Sequence, residues 1–199
     1  MGEEKKRLPV GLENFEQIIK DNYYYVDKTG LISELLRNGG MVNLFTRPRR
    51  FGKTLNMSML EHFFSIEREQ SIFDGFEISK DTKLCEAYMG KYPVISISLK
   101  GINAATYEDA FDFAVQIIKN VAGKMQFLLE SGNLSDFDKS EYKKLLDSRM
   151  SKAVFCSGLK TLSELLEKHY ETKVVLLIDE YDVPLAKAFE NGYYDLFNP

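Results

Sequence analysis

The chain has 199 residues, of which 44 % are hydrophobic, and its 30 Asp and Glu against 26 Lys and Arg give a formal net charge of −4. These proportions are typical of a soluble globular domain and exclude collagen-like, low-complexity and strongly basic nucleic-acid-binding chains. Two cysteines do not make a disulfide framework, and no stretch approaches the ~20 apolar residues of a membrane span, so we expect a cytoplasmic protein without membrane contact.

Two helical stripes come before residue 41. Apolar residues recur at helical spacing over residues 8–22 and again over residues 31–36, and Gly39 and Gly40 end the second stripe. Three tyrosines lie between the stripes. We therefore treat residues 1–40 as an N-terminal helical and aromatic segment.

Two tyrosines in this segment have both a binding and a structural interpretation, and the segment Asp27-Lys28-Thr29 has a structural one. Tyr24 and Tyr25 suit stacking on a nucleotide base, an aromatic strand, or packing against the sheet edge. Asp27 and Thr29 suit a turn or the start of a helix, because short polar side chains bond to nearby backbone N–H groups. Neither pair carries a functional assignment from the sequence alone.

The rest of the chain alternates predicted strands and helices. Apolar runs predict buried strands at residues 41–46, 93–99 and 173–178. Helical patterns occupy residues 55–64, 80–90, 106–130, 141–150, 159–169 and 183–191, and residues 131–140 are polar and loop-like. Strands that alternate with helices predict an α/β domain with a largely parallel sheet.

The segment 47–54 lies between a predicted strand and a predicted helix, where a Walker A phosphate loop is found. Such a loop needs backbone N–H groups that face an anion, a Lys for the β- and γ-phosphates and a Ser or Thr hydroxyl for Mg²⁺. Gly52, Lys53 and Thr54 supply the closing half of this pattern. The usual first glycine is replaced by Arg47.

We predict that nucleotide binding involves the whole loop and the first residue after it. The arginines of the loop either neutralise polyphosphate charge or are solvated, and the sequence does not decide between the two. The predicted nucleotide-binding residues are Arg47, Pro48, Arg49, Arg50, Phe51, Gly52, Lys53, Thr54 and Leu55.

An acidic pair follows the last predicted strand. The run Val-Val-Leu-Leu-Ile ends at Asp179 and Glu180, which matches the Walker B pattern of a buried strand followed by two acids. We assign Asp179, with Thr54, to a Mg²⁺ site and Glu180, with Lys53, to catalysis, because a carboxylate at this position activates the attacking water. Asp182 suits a helix N-cap or a loop.

Four segments resemble the AAA-ATPase-like domain family of bacterial proteins. They are GLENFEQIIKDNYYYVDKTGLI from residue 11, FTRPRRFGKT from residue 45, YPVISISLKG from residue 92 and VVLLIDEYD from residue 174. The family characteristically has Arg in place of the first Walker glycine, so the resemblance makes Arg47 a family trait.

The resemblance implies an additional-strand P-loop NTPase, an AAA-like parallel sheet flanked by helices, in which residues 93–99 form the strand between the two Walker strands. It implies an ATPase core over residues 41–199 that is truncated after the Walker B strand. Family members commonly continue with a lid and a region similar to restriction-endonuclease-like nucleases.

Three functions remain open. The first is Mg²⁺-dependent ATP hydrolysis, with ATP rather than GTP implied by the resemblance. The second is a nucleotide-dependent interaction module with negligible hydrolysis, and the third is nucleic-acid processing through a nuclease-like domain that this chain does not carry. Nothing in the sequence identifies a subunit interface, although homo-oligomers or partner proteins are common among AAA-type relatives.

Overall fold

A computed structural model describes residues 6–46 and 51–197 of the chain as a mixed α/β protein. The helices are α1 (Phe15–Lys20), α2 (Gly30–Asn38), α3 (Lys53–Phe64), α4 (Thr82–Tyr88), α5 (Tyr107–Gly123), α6 (Asp136–Lys144), α7 (Lys152–Tyr170) and α8 (Val183–Glu190), and the strands are β1 (Val94–Ser98) and β2 (Val175–Asp179). Short 3₁₀ helices cover Ser71–Phe73, Glu77–Lys80, Gln126–Glu130 and Tyr194–Phe197.

The chain divides into two compact units, Met1–Val94 and Ile95–Pro199. The sequence division at residues 40 and 41 remains a prediction. None of the helices in the described part of the chain combines the length and the apolar character needed to cross a membrane.

The first unit is built around an aromatic core between α1 and α3. Phe15 of α1 is fully buried, stacks on Phe73 at a ring-centroid distance of 5.2 Å and meets Tyr25 edge-on at 5.3 Å. Phe63 of α3 also packs edge-on against Phe73, at 5.5 Å. The Phe15 backbone N–H donates a 3.0 Å hydrogen bond to Ser58 Oγ. Burial and this bond fix α3 against α1.

The second unit places helices against a small parallel sheet. β1 and β2 are hydrogen-bonded neighbours, and Leu99 N–H donates to the Asp179 carbonyl at 3.0 Å, just beyond the end of β1. Ile95 and Ile97 of β1 face a core formed mainly with α5 and α7. Tyr142 of α6 is completely buried in this core, and its hydroxyl donates to the Ala122 carbonyl at 2.5 Å. Hydrophobic burial of this kind is the main source of the unit's stability.

The predicted strand at residues 41–46 is wrong. These residues have irregular backbone, and Met41, Val42 and Leu44 are exposed to solvent. A β-branched and apolar run becomes a strand only when a neighbouring strand pairs with it and a face is buried. Within the described residues, the only bonds of this segment are local, between Asn43 and Gly40.

Three other predictions need correction in the second unit. The polar stretch 131–140 contains the start of α6, because Ser135 and Asp138 form a reciprocal capping box that begins a helix at Asp136. The predicted buried strand at 173–178 is β2, but its side chains alternate, with Leu177 buried and Leu176 exposed. The predicted helix at 141–150 is wrong beyond Lys144, where α6 ends, because residues 145–150 have no helical backbone. Each of the other predicted helices overlaps an observed helix.

Candidate functional site

The N-terminus of α3 has the local geometry of an anion-binding turn. Gly52 lies in the left-handed region with φ 72° and ψ 27°, and no side chain of the described residues caps the helix start. Lys53 and Thr54 are the first two residues of the helix, and Gly52 already accepts a helical hydrogen bond from Asn56 N–H at 2.9 Å. The first N–H groups of a helix have no intrahelical partner and carry its positive dipole end, so they attract anions.

The structure positions part of the predicted phosphate loop. Lys53, Thr54 and Leu55 are half-buried in the first turn of α3, and Phe51 is exposed. Arg47, Pro48, Arg49 and Arg50 lie outside the described residues. Their predicted contacts with nucleotide therefore remain predictions.

The far end of α3 is anchored by a buried histidine. His62 is 2 % exposed, and its Nδ1 lies 2.7 Å from the Ser58 carbonyl while its Nε2 lies 3.1 Å from Glu16 Oε2. The ring therefore contacts an oxygen on each side, one from its own helix and one from α1. Lys20 and His62 hydrogen-bond Glu16 and lower its pKa to about 2. The contact between His62 and Glu16 thus ties α1 to the helix that begins at Lys53.

Tyr25 is a packing residue in this structure. Its ring lies edge-on to Phe15 and to Phe76, with centroid distances of 5.3 and 5.5 Å, and its hydroxyl lies 3.4 Å from Met59 Sδ. Burial raises the pKa of Tyr25 to about 12. These contacts favour the packing interpretation of Tyr25 over base stacking, whereas Tyr24 is 53 % exposed.

The segment before α2 brings a second lysine to the phosphate turn. Lys28 Nζ lies 3.6 Å from the position that a Cβ on Gly52 would occupy. No local pattern predicts this proximity, because 24 positions separate the two residues and Lys28 belongs to no phosphate-binding pattern. Lys28 is exposed and forms no ion pair in the described part of the chain.

Asp27 and Thr29 hold this segment in place. The Asp27 carboxylate accepts from the Thr29 N–H at 2.8 Å, from the Thr29 hydroxyl at 2.7 Å and from the Glu77 N–H at 2.7 Å, and Thr29 Oγ1 accepts from Ile78 N–H at 3.1 Å. Burial alone would raise the pKa of Asp27, but these hydrogen bonds outweigh it and the pKa is lowered. The predicted turn role of Asp27 and Thr29 is confirmed.

The acidic pair lies where the sequence predicts it, at the carboxyl end of β2. Asp179 is 9 % exposed, and its Oδ1 accepts the Glu180 N–H at 3.0 Å. Glu180 is half-buried and has φ 54°, a left-handed conformation that a residue with a Cβ seldom adopts. Strained residues of this kind are concentrated at functional sites. Asp182 occupies the N-cap position of α8, which is one of the two positions predicted for it. Its side chain makes no capping hydrogen bond.

The two halves of the predicted site belong to different units of the chain. Gly52, Lys53 and Thr54 lie in the first unit and Asp179 and Glu180 in the second. A Mg²⁺ site shared by Thr54 and Asp179 therefore remains a prediction. Within the described residues, no cluster of three or more His, Cys, Asp or Glu side chains is arranged to hold a metal ion.

Comparisons with known proteins place the chain in a family. Residues 9–198 match the family described as Predicted AAA-ATPase. The chain is also 30 % identical, over 207 aligned residues, to an uncharacterized protein in the vnfD 5′ region of Azotobacter chroococcum mcd 1. That alignment covers 98 % of this chain and 34 % of the relative, so the chain spans about a third of its length. No solved structure matches. The family match covers nearly the whole chain, and the protein therefore belongs to the predicted AAA-ATPase family.

Proposed function

We propose that this chain binds ATP at residues 47–55 and hydrolyses it in a Mg²⁺-dependent reaction. One observation carries the proposal: the left-handed Gly52 directly before α3, followed by Lys53 and Thr54, in a chain of the predicted AAA-ATPase family. This geometry supports phosphate binding by the first N–H groups of α3 and by the Lys53 ammonium. Arg47, Arg49 and Arg50 add positive charge to the same loop.

The donor set is suited to the metal that the proposal includes. Mg²⁺ prefers hard oxygen ligands, and Thr54 and Asp179 offer a hydroxyl and a carboxylate. In the proposed complex these two residues hold the ion and its hydration shell. Mg²⁺ when bound neutralises charge on the β- and γ-phosphates.

Glu180 is the proposed general base. Its carboxylate accepts a proton from the water that attacks the γ-phosphate, and the strained backbone at the end of β2 fixes where that carboxylate begins. The Lys53 side chain stabilises the charge on the transferred phosphoryl group. Glu180→Gln keeps the shape of the side chain and removes the basic oxygen.

Phosphate release in the presence of Mg²⁺ tests the hydrolysis. We expect Glu180→Gln to bind ATP as the wild type does and to turn over roughly 10²- to 10⁴-fold more slowly. Glu171→Gln is the matched control, because Glu171 is an exposed glutamate with nearly the same φ, 55°. A wild-type chain that binds ATP without Mg²⁺-dependent turnover contradicts the hydrolysis and leaves the nucleotide-dependent interaction module as the function.

A further inference from the structure

We propose that Lys28 is a second phosphate-binding lysine, which places its ammonium on the β- and γ-phosphates held at the turn before α3. This inference rests on the proposed function and deepens it. The observation behind it is independent of the sequence motif: Lys28 Nζ lies 3.6 Å from the position that a Cβ on Gly52 would occupy.

The electrostatics of the turn argue for an anionic ligand. Cations are disfavoured near the positive end of a helix dipole and anions are favoured there. The Lys28 ammonium nevertheless lies beside Gly52, the residue that directly precedes α3. Lys53 is the first residue of the same helix. Two ammonium groups at one helix N-terminus repel each other and the dipole, and a bound polyphosphate removes both repulsions.

Neighbouring carboxylates do not account for Lys28. Both oxygens of Asp27 are occupied by hydrogen bonds from Thr29 and from the Glu77 N–H. Glu34 and Glu77 line an open cleft together with Lys28, but neither forms an ion pair with it in the described part of the chain. The Lys28 charge is therefore available to a ligand.

The loop is also held in position before any ligand arrives. Asp27 and Thr29 bond to each other on either side of Lys28, and both bond to the 3₁₀ helix at Glu77–Lys80. A binding group on a backbone that is already ordered loses less conformational entropy on binding. Asp27 and Thr29 thus act as positioning residues, and Lys28 as the group that contacts phosphate.

The test measures the affinity of the whole chain for MgATP, AMP and inorganic tripolyphosphate by calorimetry. We expect Lys28→Met to weaken ATP and tripolyphosphate binding about tenfold, the loss of one charge-assisted hydrogen bond, and to weaken AMP binding less. Lys28→Arg should retain most of the affinity. The Lys28→Met variant should also lower the salt dependence of tripolyphosphate binding, which loss of structure alone would not do.

Two other lysine variants make the outcomes distinguishable. Lys83→Met removes the same charge from an exposed lysine of α4 and should leave every affinity unchanged. If Lys28→Met binds ATP as the wild type does while Lys53→Ala has lost binding, the role of Lys28 is refuted and the proposed function stands. Equal weakening in Lys28→Met and Lys83→Met also refutes it. A wild-type chain that binds neither ATP nor tripolyphosphate overturns both proposals.

Discussion

At Gly52 the left-handed backbone conformation disfavours a side chain, which predicts the effect of one substitution. Gly52→Ala should lower the free energy of unfolding by about 1–2 kcal/mol, because φ 72° is left-handed and a Cβ there is strained. A Cβ would meet Lys28 Nζ at 3.6 Å, an ordinary contact, so the penalty is conformational. We expect ATP affinity to fall as well, since relief of the strain changes the phosphate turn. Urea unfolding and calorimetry measure the two effects.

Gly75→Ala is the matched control for this substitution. Gly75 has φ 83°, lies in the same unit, and a Cβ there would meet no described atom within 4 Å. The Gly75→Ala variant should lose about as much stability as Gly52→Ala and keep the ATP affinity of the wild type. If both alanine variants lose affinity equally, the conformation of Gly52 has no special role in binding.

A glycine at Glu180 should have the opposite effect on stability from an alanine at Gly52. Glu180→Gly should raise the free energy of unfolding by roughly 0.5–1 kcal/mol, because release of left-handed strain exceeds the entropy cost of the glycine. The same change should abolish ATP turnover. Glu171→Gly, at the left-handed C-cap of α7, should give the same stability gain with turnover unchanged. Full activity in Glu180→Gly would remove Glu180 from the mechanism.

A residue's type indicates the chemistry that it can perform, but not which distant residues lie beside it in the folded chain. Gly52, Lys53 and Thr54 could be singled out because their function depends on adjacent positions in the chain. Lys28 could not, because its proximity to Gly52 arises from the fold of residues 27–29 against residues 77–78. Such a contact leaves no periodicity or spacing in a single sequence.

At the scale of elements, the contacts of Glu16 with Lys20 of α1 and with His62 of α3 make stability depend on pH. The pKa of Glu16 is about 2 in the folded chain and ordinarily 4.5, so its contribution is fully present above pH 4.5 and is lost as the pH falls towards 2. Glu16→Gln should therefore be less stable by about 1.5–3 kcal/mol at pH 7, the loss of a hydrogen bond to a charged group. The difference from the wild type should shrink at pH 3.

Urea unfolding at the two pH values checks this dependence. Glu34→Gln is the control, because Glu34 is exposed on α2 and has no ion pair in the described residues. Its stability should equal that of the wild type at both pH values. A constant difference between the wild type and Glu16→Gln from pH 7 to pH 3 would contradict the lowered pKa of Glu16.

Most elements could be predicted because their signals are local. The apolar stripe of α5 and the alternating run of β1 each give their own period. The failure at 41–46 has a different cause, since a strand depends on a partner that the run itself does not specify. The polar composition of residues 131–140 predicts a loop, although Ser135 and Asp138, which form the capping box of α6, are visible in the sequence.

At the scale of the whole molecule, the proposal requires residues of both units to serve one nucleotide. Thr54→Val and Asp179→Asn should each remove the part of the ATP affinity that depends on Mg²⁺. Effects of residues that hold one ion are not additive, so the double variant should lose little more than either single variant. Calorimetry with and without Mg²⁺ measures this, and Asp182→Asn controls for the lost charge. Additive losses would mean that Thr54 and Asp179 do not share a metal.

The central claim is that the turn before α3 binds ATP, and one calorimetric comparison tests it most directly. Wild type and Lys53→Ala are titrated with MgATP, with Lys83→Ala as the matched control. The loss of a charge-assisted bond to phosphate should weaken binding by roughly 10- to 100-fold in Lys53→Ala alone. Equal ATP affinity in the wild type and Lys53→Ala would contradict the phosphate-loop assignment.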